Sequence, residues 1–301
     1  MTEFLQQLVN GLEWGSIYAL IALGYTMVYG VLRLINFAHG DVYMIGAMVS
    51  YYAARKLAAA SISMGGLQFP ILLALSMIAC AALGALIERV AYRPLRKAPR
   101  LSVLITAIGV SLLLEYGGQL LFGADPKFFP ELIPNAPLFT FDGVTINRIQ
   151  CLILAISLLL MLVLRFVVMK TKVGKAMRAV SFSHTASQFV GIDVDRVITV
   201  TFLIGSSLAG AAGVLVALAN PKIDPLMGIM PGLKAFVAAV LGGIGSIPGA
   251  LLGGYLMGLA ETFVVAYISS TYRDALAFVL LIAILLLRPS GLLGKAIKEK
   301  V

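Results

Sequence analysis

Apolar runs of roughly 20 residues recur along the whole of this 301-residue chain, and about 20 apolar residues is the length of α-helix needed to cross the hydrocarbon core of a bilayer. They fall at about 8–32, 37–58, 69–90, 101–122, 149–169, 197–219, 249–268 and 273–288, with a shorter one at 231–243. Composition points to the same solvent. Hydrophobic residues make up 60% of the chain, charged ones only 12%, and mean hydropathy is +0.98. Soluble domains are about a quarter charged, and no soluble core of this length could hide so much apolar surface. The sequence therefore predicts an all-α polytopic membrane protein, one transmembrane domain over 1–301, with about eight to nine transmembrane or half-membrane helices. The 231–243 run is too short to cross alone and reads as a half-helix.

A formal net charge of +9 raises nucleic acid as a partner, but the distribution argues against it. Sixteen of the 23 Lys and Arg lie at Arg33 and within 88–100, 165–196 and 288–301. They flank apolar spans instead of forming a stripe with interleaved aromatics. This is the positive-inside pattern, and it places "RPLRKAPR" (93–100), "KTKVGKAMR" (170–178) and "GKAIKEKV" (294–301) in the cytoplasm. The proline-rich segment 123–148 sets Asp125, Glu131 and Asp142 against Lys127 and Arg148 and is expected outside. Glu3 and Glu13 precede the first cation, Arg33, so the N-terminus is expected outside and the C-terminus inside, with an odd number of crossings. A basic leader with a cleavage site is not evident, so the first apolar stretch reads as a retained span. Cys80 and Cys151 both fall in apolar runs and read as small core hydrophobes.

Polar groups interrupt the apolar pattern at "INFAHGDVYMIGA" (35–47). Side chains such as Asn36, His39 and Asp41 are costly at membrane depth unless they face a bundle interior or a water-filled path, and irregular backbone there needs the same shelter. Two readings stand on physics alone. Asn36, His39, Gly40 and Asp41 line a solute path at a helix break, or they form a solvated turn after Arg33. In the second half, "GGIGSIPG" (242–249) combines four glycines with Pro248, which removes a backbone donor. It predicts a half-helix, a tight break at Gly242, Gly243, Gly245 and Ser246, and a second helix. "GDVYMIGA" and "GIGSIPGA" share the spacing G-x5-G-A, a weak sign of two pseudo-repeats with broken helices.

Other chemistry is thinly represented. A phosphate-binding loop needs Lys followed by Ser or Thr, whereas Gly174-Lys175 and Gly294-Lys295 are each followed by Ala. Two histidines without an H-E-x-x-H pattern leave no metal or metalloprotease site. The segment 173–197 has helical spacing up to Gly191 and reads either as a surface helix or as a docking element for a cytoplasmic partner, with His184 a surface residue. Glu115, Lys234 and Glu261 are lone charges within spans; Lys234 can snorkel, and the acids can hydrogen-bond within the bundle.

"NGLEWGSIYALIALGYTMVYGVLRLINFAHGDVYMIGA" (10–47), "ERVAYRPLR" (88–96) and "GLKAFVAAVLGGIGSIPGALLGGYLMGLAE" (232–261) closely resemble permeases of branched-chain amino-acid ABC transporters of the LivH type. The resemblance runs in order along almost the whole chain. It implies a transport subunit in the bacterial inner membrane, not an enzyme. The expected partners are a second related permease, two cytoplasmic ABC ATPases and an extracytoplasmic substrate-binding protein. ATP would be used by those ATPases, and no cofactor would be bound by this chain. It further implies that Asn36–Gly40 and Gly242–Ser246 border the path. The segment around 181–192 would be the coupling helix, with Phe182, Ser183, His184, Ser187, Gly191 and Ile192 its candidate contacts. The family usually carries acidic residues near 182–183 and an alanine near 187, and this chain departs from that. Importers of urea, short amides or other amino acids are the near alternative, and a stand-alone secondary carrier using Glu115 or Glu261 the distant one.

Overall fold

The computed structural model describes residues 2–60, 65–96, 98–141 and 143–294; Asp142, Lys97 and most of the basic C-terminal tail lie outside the described residues. The helices are α1 (Thr2–Leu32), α2 (His39–Ala59), α3 (Gln68–Ile87), α4 (Arg100–Phe122), α5 (Arg148–Lys170), α6 (Lys172–Phe182), α7 (His184–Phe189), α8 (Val194–Ala219), α9 (Ile229–Gly242), α10 (Ile247–Tyr267) and α11 (Ala275–Leu287). Six helical stretches, Thr2–Leu32, Gln68–Tyr92, Leu101–Phe122, Arg148–Lys170, Val194–Ala219 and Ile247–Tyr267, are long and apolar enough to cross a membrane. The polar start of α2 makes it a less apolar 21-residue helix, and α9 and α11 are short, with 14 and 13 residues. At 1.5 Å per residue α9 reaches only about 21 Å, so it is the half-helix that its length predicts.

Layering follows from which helices are apolar all round. α1 and α8 are buried along most of their length, whereas α3, α4 and α5 turn large apolar side chains such as Ile78, Leu113 and Leu159 outward. A helix that is apolar all round belongs inside or in lipid, and this protein uses both options. α1 packs against α10 and α8, α3 against α8, and α9 between α1, α2 and α10.

The connections sort to two opposite ends. One end gathers the N-terminus, the segment 123–147 and the residues before α9. Gln6 exchanges hydrogen bonds with Thr145 there, at 3.1 and 2.8 Å. Strand β1 (Lys127–Phe128) pairs antiparallel with β4 (Lys222–Ile223), and β2 (Pro137–Phe141) with β3 (Val144–Asn147). The sequence reading missed these small sheets. The sequence carries Asp-Gly just before β3, a strong hairpin signal, and Gly143 adopts φ 81°. Asn147 then leads into α5, its N–H donating to Gln150 Oε1 (3.1 Å).

At the other end lie the 33–38 break, the end of α3, α6, α7 and the residues after α11. α3 closes in a π-helical turn, Glu88–Tyr92, in which Arg93 N–H reaches the Glu88 carbonyl (2.7 Å). This places buried Glu88 against Arg96, which also pairs with Asp195 at the start of α8; Arg93 adds a second bond to Asp195 at 2.6 Å, and Thr199 donates to Glu88 Oε2 at 2.8 Å. Leu292 and Leu293 N–H donate to the carbonyls of Leu241 and Gly242 (both 2.9 Å), so the chain after α11 ties back onto the end of α9.

Candidate functional site

The 33–38 stretch is a helix break, and the solvated-turn reading does not describe it. Arg33 adopts φ 55° and turns the chain back toward the interior. Asn36, His39 and Asp41 are then 2%, 0% and 2% exposed. Asn36 Oδ1 accepts from the Tyr92 hydroxyl at 3.0 Å, while its amide nitrogen and both His39 ring nitrogens have no hydrogen-bond partner among the described residues. His39 lies edge-on to Tyr25, ring centroids 4.8 Å apart, and over Gly24, where a Cβ would come within 2.1 Å of Nε2.

Gly40 and Asp41, in the first turn of α2, open onto a cavity of about 230 Å³. Its other walls are α1 at Tyr25, the break at Phe37, α4 at Ile108, Ser111 and Glu115, and α9 from Gly228 to Phe236. The backbones of α2 and α9 nearly touch here. A Cβ on Gly40 would sit 2.5 Å from the Gly228 carbonyl oxygen and 3.0 Å from the Gly232 Cα. Ser111 donates to Asp41 Oδ2 (2.5 Å) and lies 3.4 Å from Glu115 Oε1, so two carboxylates share one hydroxyl. Neither enters an ion pair among the described residues. The rings of Tyr25, Phe37 and Phe236 complete the wall. Such a cavity can receive a small solute with a cationic or donor group at one end and an apolar body.

The second expected block lies elsewhere. α9 ends at Gly242, Gly243 and Gly245 adopt φ 104° and 93°, and Ser246 caps α10 by accepting from Gly249 N–H (3.2 Å). Pro248 occupies the first turn of α10, where its missing donor costs nothing. Gly245 borders a separate 80 Å³ cavity with Thr26, Gly30, Arg178 and Ser181. α1 thus stands between the two breaks, with Tyr25 on one cavity and Thr26 on the other. The shared G-x5-G-A spacing does not extend to the backbone, since Gly40 is helical and Gly243 precedes its helix.

The 173–197 segment holds two helices where spacing alone predicts one. Ser183 is extended (φ −157°) and caps α7, accepting from Ala186 N–H at 3.2 Å. At the far end Gly191, at φ 79°, donates to Gln188 and Ile192 donates to Ser187 (both 3.0 Å). This is the Schellman termination that favours glycine. Ser187 is buried. Phe182, Phe189 and Val190 are 88%, 86% and 74% exposed at the basic end of the bundle. His184 is a surface residue, as expected, but its Nε2 lies 2.9 Å from the Val31 carbonyl and so meets the end of α1.

Tyr25, Ser111, Gly228, Gly232 and Phe236 escaped the sequence reading. Ser111 and Glu115 share a face of α4 at i, i+4, and Gly228-x3-Gly232 is a close-approach spacing; both signals were present.

A family sequence model described as branched-chain amino acid transport system / permease component matches residues 7–285. The chain is 46% identical to the high-affinity branched-chain amino acid transport system permease protein BraD of Pseudomonas aeruginosa, over 99% of this chain and 98% of that one. It is 44% identical, with the same coverage, to the permease protein LivH of Escherichia coli. A more distant similarity, 25% identity over 92% of this chain and 84% of the other, joins it to the ribose import permease protein RbsC of Haemophilus influenzae. No solved structure matches the chain. With this family match over nearly its whole length, a multi-pass helical bundle and polar breaks in its apolar helices, the chain belongs to the permease components of branched-chain amino acid transport systems.

Proposed function

We propose that this chain is one membrane subunit of an ATP-driven importer of leucine, isoleucine and valine, and that Asn36, His39, Gly40 and Asp41 with Gly242, Gly243, Gly245 and Ser246 border its path. The observation that supports this most is the cavity at the 33–41 break. It combines aromatic walls for an aliphatic side chain with Asp41 and Glu115 for an ammonium group. The substrate class follows the names of the near-full-length relatives. The whole chain acts as one domain in the bacterial inner membrane. The N-terminus lies outside, because the end bearing α6, α7 and Arg93 to Arg96 is the basic one. No cofactor or nucleic acid is bound; ATP is used by two separate cytoplasmic ABC ATPases. A second related permease and an extracytoplasmic binding protein complete the assembly, and lipid surrounds it.

Alternating access is the mechanism we assign. The binding protein delivers the solute at 123–148 and 220–230. ATPase closure moves 173–196, and the helices bordering the two breaks rock. Weak contacts along the path suit fast release. Purifying the tagged chain in mild detergent should recover two ATPases and a second permease, and vesicles holding that complex should accumulate leucine with ATP and binding protein. Uptake of urea or short amides in place of leucine would move the chain to the alternative importer class. Leucine transport by the chain alone, abolished by an uncoupler, would make it a secondary carrier.

The exposed Phe182–Val190 face is the proposed ATPase contact, together with Ser183, His184, Gly191 and Ile192; Ser187, expected among the contacts, is buried behind that face and supports it from within. Truncating one apolar anchor at the centre of an interface costs about 2 kcal/mol or more. Phe182→Glu should therefore weaken ATPase co-purification by at least about thirtyfold while the chain stays in the membrane. Gly191→Pro, which removes a donor of the Schellman turn, should act in the same direction. Full recovery of the ATPases with both variants would put the contact elsewhere.

A further inference from the structure

The lone charges Lys234 and Glu261 are not alone. Glu261 Oε2 accepts from the Tyr18 hydroxyl (2.8 Å), and its Oε1 takes Lys234 Nζ (3.1 Å) and Arg273 Nε. Lys234 also holds Asp274 Oδ1 at 2.8 Å. Both Lys234 and Glu261 are buried, while Arg273 and Asp274 are about half exposed. Tyr18, Lys234, Arg273 and Asp274 of this cluster line a third cavity, of about 350 Å³, at the end of the bundle that carries β1, β4 and the N-terminus. Its size falls within the range of small-molecule pockets.

Several polar atoms around this cavity are uncommitted. Arg273, which lines the cavity, uses Nε on Glu261 and lies over the Trp14 ring, 5.2 Å from its centroid, and its terminal N–H groups have no hydrogen-bond partner among the described residues. Lys222 and Asp224 enter no ion pair among the described residues; one Asp224 oxygen accepts from Leu226 N–H. Asp274 Oδ2 is likewise unpaired. Three cations, Lys222, Lys234 and Arg273, and two carboxylates, Asp224 and Asp274, thus surround a space whose remaining walls include Trp14, Val216, Met227 and Met230. A purely anionic or cationic ligand would leave one set of charges facing its own sign. A molecule carrying both charges on one carbon, with an apolar side chain, satisfies both sets and the wall.

We infer that this cavity is a receiving site for a zwitterionic α-amino acid, distinct from the cavity at Asp41. The carboxylate meets Arg273 and Lys222, the ammonium meets Asp224 and Asp274, and the side chain lies against Trp14 and the methionines. The first turns of α9 are the partition between the two cavities, Met230 and Lys234 facing the outer one and Ile229 and Leu233 the inner one. Transfer inward then requires movement of α9 against α2. The assignment of leucine-type amino acids rests on the importer reading above.

The test uses the whole importer in vesicles, with Cys151→Ser and either Met230→Cys or Met227→Cys as the reporter, and a membrane-impermeant thiosulfonate as the label. Millimolar leucine should slow labelling at both reporters about fivefold or more. 4-Methylpentanoate and leucinamide, each lacking one charge, should not. Lys222→Gln or Asp224→Asn should weaken protection by about tenfold, the worth of a hydrogen bond to a charged group. Equal protection by all three compounds would make the cavity a mere apolar cleft and overturn the inference. Absence of protection in vesicles that accumulate leucine would also overturn it and leave the importer reading standing. Protection without leucine uptake under ATP and binding protein would keep the site and remove the importer reading.

Discussion

Glu261→Leu is expected to strip most of the folded chain from the membrane and to lower the melting temperature of what remains. Three donors converge on this 2%-exposed carboxylate, from Tyr18, Lys234 and Arg273. Breaking a buried ion pair by deleting one partner costs about 3–5 kcal/mol, because the other charge stays behind without compensation. Here the stranded groups are the Tyr18 hydroxyl and a buried ammonium left with Asp274 alone. Lys234→Met should be milder, since Glu261 keeps Arg273 and Tyr18. The order of the two variants in thermal unfolding of the solubilised protein is the check. If Glu261→Leu melts with the unmodified chain, the cluster contributes nothing to stability.

Gly40→Leu should reduce uptake at least about tenfold while leaving the partner subunits bound. The substituent would enter a gap set by backbone atoms, the Gly228 carbonyl and the Gly232 Cα, which cannot swing aside as a side chain does. Overpacking of this kind costs about 1–3 kcal/mol, and the shift falls on the contact between α2 and α9 that both cavities share. Gly243→Leu should do the same from the other break, where a Cβ would come within 2.4 Å of Gly294 N. Counting transported leucine per co-purified ATPase separates a blocked path from a lost subunit. Uptake at the normal rate in both variants would remove the two breaks from the transport cycle.

Local signals carried much of this fold. The length of 231–243 marked α9 as a half-helix, and glycines with Pro248 marked the break after it. Length and apolarity likewise placed the long spans. Long-range partners were not legible. Glu261 lies 27 residues from Lys234 and 243 from Tyr18, and no periodicity within a span announces such a pairing. The π-helical turn at Glu88–Tyr92 was hidden for a related reason. It brings Glu88 against Arg96 and the start of α8, a tertiary gain that no local propensity encodes. For the cavity at Asp41, the sequence marked the cost of burying polar groups and left the direction they face undecided, because Ser111, Glu115 and Phe236 come from helices distant in the chain. The helical reading of 173–191 overlooked Ser183, whose side chain competes with the backbone for hydrogen bonds and so divides one helix into two.

α7 is too short to bend and is held at two places. His184 meets the end of α1 through the Val31 carbonyl. Beyond the glycine turn, Asp195 binds Arg93 and Arg96, which are tied through Glu88 to α3. In the proposed coupling role, a push on the exposed face of α7 would therefore be passed to both anchors. It would be divided like torque on a crankpin between two connecting rods, one leading to the innermost helix and the other to a peripheral one. Cutting either rod would leave the crank attached yet able to turn only half of the machine.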